Sequence, residues 1–294
     1  MNRPTYRLLA LDVDGTLLDR DGNLRSATVE AVRRAAEAGI QPVICTGRRY
    51  RRARPIAEML GLDVPIVCNS GAIVKEPSDH STLWRADLPR EITTTLLDLL
   101  AGLDEPAVSF TDLAPHEADF VVERDPMGRP FFDDYLEQNR GHACVDPGWA
   151  DRDSSRTHYH ICAIGDRGRM LEVEAEIHRT LPGLVRTFVQ RSPRYLGTMC
   201  EVLHLDASKW TAVLRLAELW GIAPEEICAV GDDHNDVPMI AGAGLGVAMG
   251  HAPREVLEVA DHVTLSEEDD GLAHFIDGVL LARSDSSSRG HLVP

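Results

Sequence analysis

Leu8-Leu9-Ala10-Leu11-Asp12-Val13-Asp14-Gly15-Thr16 begins as four apolar residues and then breaks into two carboxylates and a glycine. So short and continuous an apolar run reads as a strand buried on both faces, ending in a turn. The same pattern recurs outward from it. Pro42-Val43-Ile44-Cys45 runs into Thr46-Gly47-Arg48, and Pro65-Ile66-Val67-Cys68 into Asn69-Ser70-Gly71. Late in the chain, Ile227-Cys228-Ala229-Val230 ends in Gly231-Asp232-Asp233.

Between these strands the apolar residues take the period of a helix. Residues 19–23 are polar and read as a small hairpin or flap. Ser26 is expected to cap a helix with Val29, Val32 and Ala36 on one face, stopped by Gly39. A second helix carries Ala57, Met59 and Leu60 before Gly61. A third begins at Lys209, with Val213, Leu214, Leu216 and Ala217 inward. Residues 245–249 and 262–265 read as closing strands. Strands alternating with amphipathic helices indicate an α/β fold, a Rossmann-like parallel-sheet core covered on both faces.

From residue 83 to 197 the rhythm differs. Strands are expected at 107–110, 119–123, 158–164 and 184–190, and helices at 92–100, 131–139 and 170–181. This reads as an α+β insertion, leaving residues 1–82 and 198–294 as the core. The Ser-rich tail, 284–294, is expected to be disordered.

Thirty Lys plus Arg against 47 Asp plus Glu give a formal charge of −17. Such a field opposes nonspecific nucleic-acid binding, which needs clustered basic residues. It also repels phosphorylated ligands, so any phosphate site must carry its own local positive charge. No apolar run approaches the length of a bilayer span. The opening residues lack a signal-type apolar region, so a cytoplasmic location is expected. The six cysteines form no C-x-x-C pair and read as buried, reduced thiols.

Ligands of open parallel sheets bind beyond the carboxyl ends of the strands. Here those ends carry Asp12 and Asp14, Thr46, Asn69, and Asp232 with Asp236. Each alone also suits a turn or a helix cap. Together they describe a carboxylate-rich pocket, whose members repel unless protonated or bridged by a cation. A hard cation with oxygen ligands, such as Mg2+, fits that set. One free carboxylate can attack phosphorus, and a neighbour two residues on can serve as acid and base.

With these residues assembled, a resemblance emerges. Asp12-Val13-Asp14-Gly15-Thr16 resembles the D-x-D-G-T motif of haloacid-dehalogenase-like hydrolases. Thr46-Gly47-Arg48, Lys209, and Gly231-Asp232-Asp233-His234-Asn235-Asp236 resemble that family's second, third and fourth motifs, in order. The insertion is similar to the C2-type cap of the Cof-type subgroup, as are Asn69-Ser70-Gly71-Ala72 and the form of the fourth motif.

The resemblance implies Asp12 as nucleophile and metal ligand, and Asp14 as acid and base with its carbonyl on Mg2+. Thr46 and the Gly47 amide would hold the phosphoryl group, and Lys209 would neutralise charge. Asp232 would bind the metal, Asp236 would orient its waters, and Asn235 would contact phosphate. Val13 and Asn69 join the expected substrate contacts. The implied activity is hydrolysis of a small phosphomonoester, such as a sugar phosphate, with the cap closing over the site. Two rivals stand beside it: a phosphotransferase or phosphomutase, and a metabolite-binding regulator with vestigial catalysis. Oligomeric state is not legible.

Elsewhere, His158 and His160 are expected on one strand face, as surface or substrate contacts. Asp133-Asp134 and residues 267–270 read as solvated charge runs, and Arg48 with residues 49–54 as a positive rim or a solvated helix start.

Overall fold

The opening apolar run is a strand, β1 (Leu8–Asp12), with every residue buried. The computed structural model describes residues 6–112, 118–122, 128–146, 148–149, 157–191 and 195–282; the tail expected to be disordered lies outside them. Contacts divide the chain into two units, Met1–Trp84 with Ser208–Pro294, and Arg85–Ala207.

The first unit holds β1, β2 (Gln41–Cys45), β3 (Ile66–Cys68), β4 (Ile73–Lys75) and β5 (Thr82–Arg85), the last running to the unit boundary. The second holds β6 (Ala107–Phe110), β7 (Phe120–Val122), β8 (Ala143–Val145), β9 (His160–Gly165), β10 (Val185–Arg191) and β11 (Thr198–His204). β12 (Ile227–Gly231), β13 (Leu245–Ala248) and β14 (His262–Val263) return to the first sheet. Its order is β14-β13-β12-β1-β2-β3-β4-β5. The strands from β14 to β3 pair in parallel, whereas β4 runs antiparallel to β3.

This order decides where the chemistry lies. β1 sits between β2 and β12, so Asp12, Thr46 and Asp232 leave three adjacent strands at the same sheet edge. Successive strand side chains point to opposite faces. Leu8 and Ala10 pack with Ala212, Val213 and Leu216 of the helix starting at Lys209. Leu9 and Leu11, equally buried, serve the other face. Burying each leucine is worth about 2 kcal/mol.

Helix α1 (Ser26–Glu37) buries Thr28, Ala31, Val32 and Ala35, not the expected face of Val29 and Ala36. Its cap is Arg25 rather than Ser26, with no side-chain cap bond. Small residues at 31 and 35 suit close packing, which a count of large apolar side chains overlooks. In α2 (Tyr50–Leu60) Met59 is exposed, while Ala53, Ile56, Ala57 and Leu60 are buried.

The second unit has a six-stranded sheet in the order β10-β11-β9-β6-β7-β8. Its helices are α3 (Arg90–Gly102), α4 (Pro130–Gln138) and α5 (Arg167–Thr180). Leu96 and Leu100 of α3 and Met170, Val173 and Ile177 of α5 pack on Ile161, Ala163, Cys200 and Val202. β11 was not foreseen as part of this sheet, because Glu201 interrupts its apolar pattern; the unit runs on to Ala207. His158 lies before β9 and bonds Ser109 Oγ through Nδ1 at 2.7 Å, whereas His160 stacks on Phe110. The two histidines therefore have different partners, not a common face contact. The acids expected to be solvated are also employed locally: Asp133 accepts from the Gly128 and Arg129 amides, and Asp134 from the Leu196 amide. Of the six cysteines, all free, only Cys144 is exposed.

Glu201 alternates with Cys200 and Val202, so it faces away from α3 and α5. It is buried, with Oε2 3.8 Å from His160 Nε2, and burial pushes its carboxyl up to about 7 against a hydrogen bond from Gln190. The folded state thus holds this proton more tightly than the unfolded chain. Its contribution is fully present below the ordinary carboxyl pKa and is lost as pH rises through about 7. Thermal unfolding of wild type and Glu201→Gln between about pH 5 and about pH 8 should show the wild type losing ground, by at most about 3 kcal/mol. Parallel curves would show that Glu201 ionises equally in both states.

Candidate active site

β1 delivers Asp12 to the sheet edge, buried, and the chain then turns sharply through Gly15 at φ +90°. A side chain at Gly15 would put its Cβ 2.3 Å from Asp232 Oδ2, so only glycine allows the two loops this close. Thr16 Oγ1 donates to Asp232 Oδ1 at 3.0 Å.

Opposite stands α6 (Lys209–Leu219), whose N-cap Ser208 accepts the Thr211 amide. Lys209 opens the helix yet is only 2% exposed. A solvated first-turn lysine would oppose the helix dipole. Here the side chain instead spans three acceptors: Asp12 Oδ1 at 2.6 Å, Asp236 Oδ1 at 2.6 Å and Asn235 Oδ1 at 3.0 Å.

Asp236 belongs to a short 3-10 turn, His234–Asp236, just after β12. Its second oxygen accepts the amides of Asp232 and Asp233, both at 3.1 Å. Rather than capping the following α7 (Val237–Gly242), the carboxylate folds back and shapes the loop presenting Asp232.

Asp12, Asp232 and Asp236 each offer an oxygen within 4.8 Å of the others. One ammonium lies among three carboxylates and contacts two of them, and the imbalance shows in the acidities of Asp12 and Asp232. Burial, then Asp236, push the Asp12 carboxyl well above its ordinary range, although Lys209 opposes this. Burial and Asp236 raise Asp232 to about 6. Burial alone would lower the Lys209 ammonium, but Asp12 and Asp236 outweigh it and hold it above the usual lysine value. An all-oxygen trio short of positive charge fits a hard divalent cation.

The other expected residues divide into two sets. Thr46 is buried, and its Oγ1 accepts the Arg48 amide at 3.0 Å. Gly47 follows it, and Ser70 N donates to Thr46 O, drawing the Asn69-Ser70-Gly71 turn alongside. Asn69 and Ser70 adopt positive φ, as does Gly71 at +94°. A Cβ on Gly71 would lie 2.1 Å from the Ser208 carbonyl, so this turn buttresses the start of α6. Val13 keeps its side chain in the core.

Asp14 points elsewhere. Its carboxylate, 61% exposed, is held by the Arg48 fork: Nε reaches Oδ2 at 2.9 Å and a second nitrogen pairs with Oδ1. It is not part of the acidic trio, so metal contact from Asp14 would have to use its main-chain carbonyl. Arg48 closes the second motif and is expected as rim or helix start; its partner, 34 positions away, gives no signal in sequence.

A family model described as haloacid dehalogenase-like hydrolase matches residues 9–276. The chain belongs to that family. Relatives of this hydrolase include YxeH of Bacillus subtilis (strain 168), 30% identical over 285 residues, covering 95% of this chain and all of the relative. Another is pyridoxal phosphate phosphatase YbhA of Escherichia coli (strain K12), 28% identical, covering 92% of this chain and 98% of that one. A crystal structure of a haloacid dehalogenase-like hydrolase from Bacteroides thetaiotaomicron superposes with TM-score 0.75 at 27% identity, covering 93% and 99% of the two chains. The match is of Cof type, and the protein is an enzyme of the phosphoric-monoester hydrolase class. Among the described residues, no helix is long and apolar enough to cross a membrane.

The burial of Lys209 supplies a direct test. Lys209→Met leaves Asp12 and Asp236 enclosed without their cation and should cost about 3–5 kcal/mol in urea unfolding. Arg34→Ala, which breaks a surface pair with Asp277, should leave the midpoint nearly unchanged.

Proposed function

We propose that this enzyme is a magnesium-dependent phosphatase that hydrolyses small phosphomonoesters through an aspartyl-phosphate on Asp12. The observation that carries the reading is Lys209 joining Asp12 to Asp236 while Asp232 stands within reach of both. Asp12, Asp232 and the Asp14 carbonyl would hold Mg2+, with Asp236 behind them. When bound, the ion would neutralise phosphate charge and favour attack at phosphorus.

In the first step an Asp12 carboxylate oxygen attacks phosphorus, and the bond from phosphorus to the ester oxygen breaks. Asp14 donates its proton to that oxygen. In the second step Asp14 takes a proton from water, whose oxygen attacks phosphorus and releases phosphate, restoring Asp12. To act, Asp14 gives up its Arg48 fork, a half-exposed pair of the kind that holds groups only weakly. Lys209 offsets charge on both nucleophile and phosphoryl oxygens, while Thr46, the Gly47 amide and Asn235 orient the group. Val13 and Asn69 complete the expected substrate contacts.

The substrate class is a small phosphorylated metabolite, a sugar phosphate or a cofactor phosphate of the kind named for YbhA. The inserted unit is read as a cap that selects among them.

Turnover of p-nitrophenyl phosphate is expected to vanish in Asp12→Asn; full activity in that variant would reject the mechanism. Chelation should abolish turnover and Mg2+ restore it, whereas rescue by zinc alone would count against the metal assignment. Against a panel of phosphorylated metabolites, phosphate release is expected; isomerised hexose phosphate without release would favour a mutase.

A further inference from the structure

Residues 267–270 were expected to be a solvated acidic run, yet the Glu267 side chain is only 2% exposed. Asp270, at φ +53°, closes the short turn Glu267–Asp269, and Glu267 lies between two distant residues. Its Oε1 accepts Arg20 Nε at 2.7 Å, and its Oε2 contacts His251 Nδ1. The opposite nitrogen, His251 Nε2, lies 3.4 Å from Asp232 Oδ2.

Asp232 is therefore held from two sides. Thr16 Oγ1 takes Oδ1, and the imidazole faces Oδ2. His251 Nδ1 lies against a carboxylate behind it, and that carboxylate accepts from Arg20. The loop carrying His251 is itself tied down, since Gly250 N donates to Leu265 O and Ala252 N to Met249 O. Enclosing a carboxylate such as Glu267 is costly unless it is partnered. Its placement is explained if it fixes the ring, and the ring fixes Asp232.

We propose that His251 and Glu267 are positioning residues that hold the Asp232 carboxylate in the orientation that binds the divalent cation. The proposal rests on the reading of Asp232 as a metal ligand. Groups that orient metal-binding carboxylates typically contribute about 10–100-fold in metal affinity.

Isothermal titration of the purified full-length protein with Mg2+ alone, without substrate, tests it. His251→Ala and Glu267→Gln should each weaken Mg2+ binding about tenfold or more. Metal-free melting temperatures should stay close to wild type, and His251→Gln, whose side-chain amide can donate to Asp232, should recover much of the affinity. Wild-type affinity in His251→Ala, with binding lost in Asp232→Asn, would overturn the positioning role and leave the ligand reading intact. Wild-type affinity in Asp232→Asn would remove the ligand reading and this proposal with it. Equal losses in affinity and melting temperature across all the variants, His251→Gln included, would mark a folding defect and also overturn it.

Discussion

The ammonium of Lys209 lies between two buried carboxylates, 2.6 Å from each, and the site is organised around this contact. A lone charge sealed from water is costly, and so is a lone carboxylate. Bringing them together relieves both, but one positive charge cannot satisfy Asp12, Asp232 and Asp236 at once. That deficit would favour a further cation. Such a cation, together with Lys209, would also answer the difficulty posed by a chain of net charge −17, which would otherwise repel phosphate. Positive potential is needed only within the few ångströms where the phosphoryl group would sit.

That contact depends on backbone approaches that side chains would forbid. Gly15 lets the first turn lie against Asp232, and Gly71 lets the turn after β3 lie against the start of α6. Asp236 uses one oxygen on Lys209 and the other on two amides, so the loop and the cation are fixed by one side chain. Precision arises from shared partners more than from any single strong bond. Disturbing one member leaves several buried groups short of a partner.

Acidic residues here do different work according to burial. Asp14 is exposed and paired with Arg48, a loose arrangement that would suit the mobile acid and base proposed for it. Glu267 is enclosed and clamped from both sides, which would suit the positioning role proposed for it. Glu201, in the other unit, is enclosed beside His160 and pays for that position by favouring its protonated form.

Sequence alone was enough for the α/β class, the parallel strands and the residues at their carboxyl ends, because these are local signals. A buried strand must be a short apolar run, and a turn after it must be polar. The motif order then marks Asp12, Thr46, Lys209, Asp232 and Asp236 as candidates for one site. What sequence could not decide were the faces of α1 and α2, where small residues pack the sheet, and β11, whose apolar pattern Glu201 interrupts. Nor could it foresee Arg48 on Asp14, His251 beside Asp232, or Glu267 behind His251. Those partners are joined by folding across as many as 247 positions, as Arg20 and Glu267 are. Local periodicity carries no record of such contacts; only tertiary packing brings the groups within reach and removes the water between them.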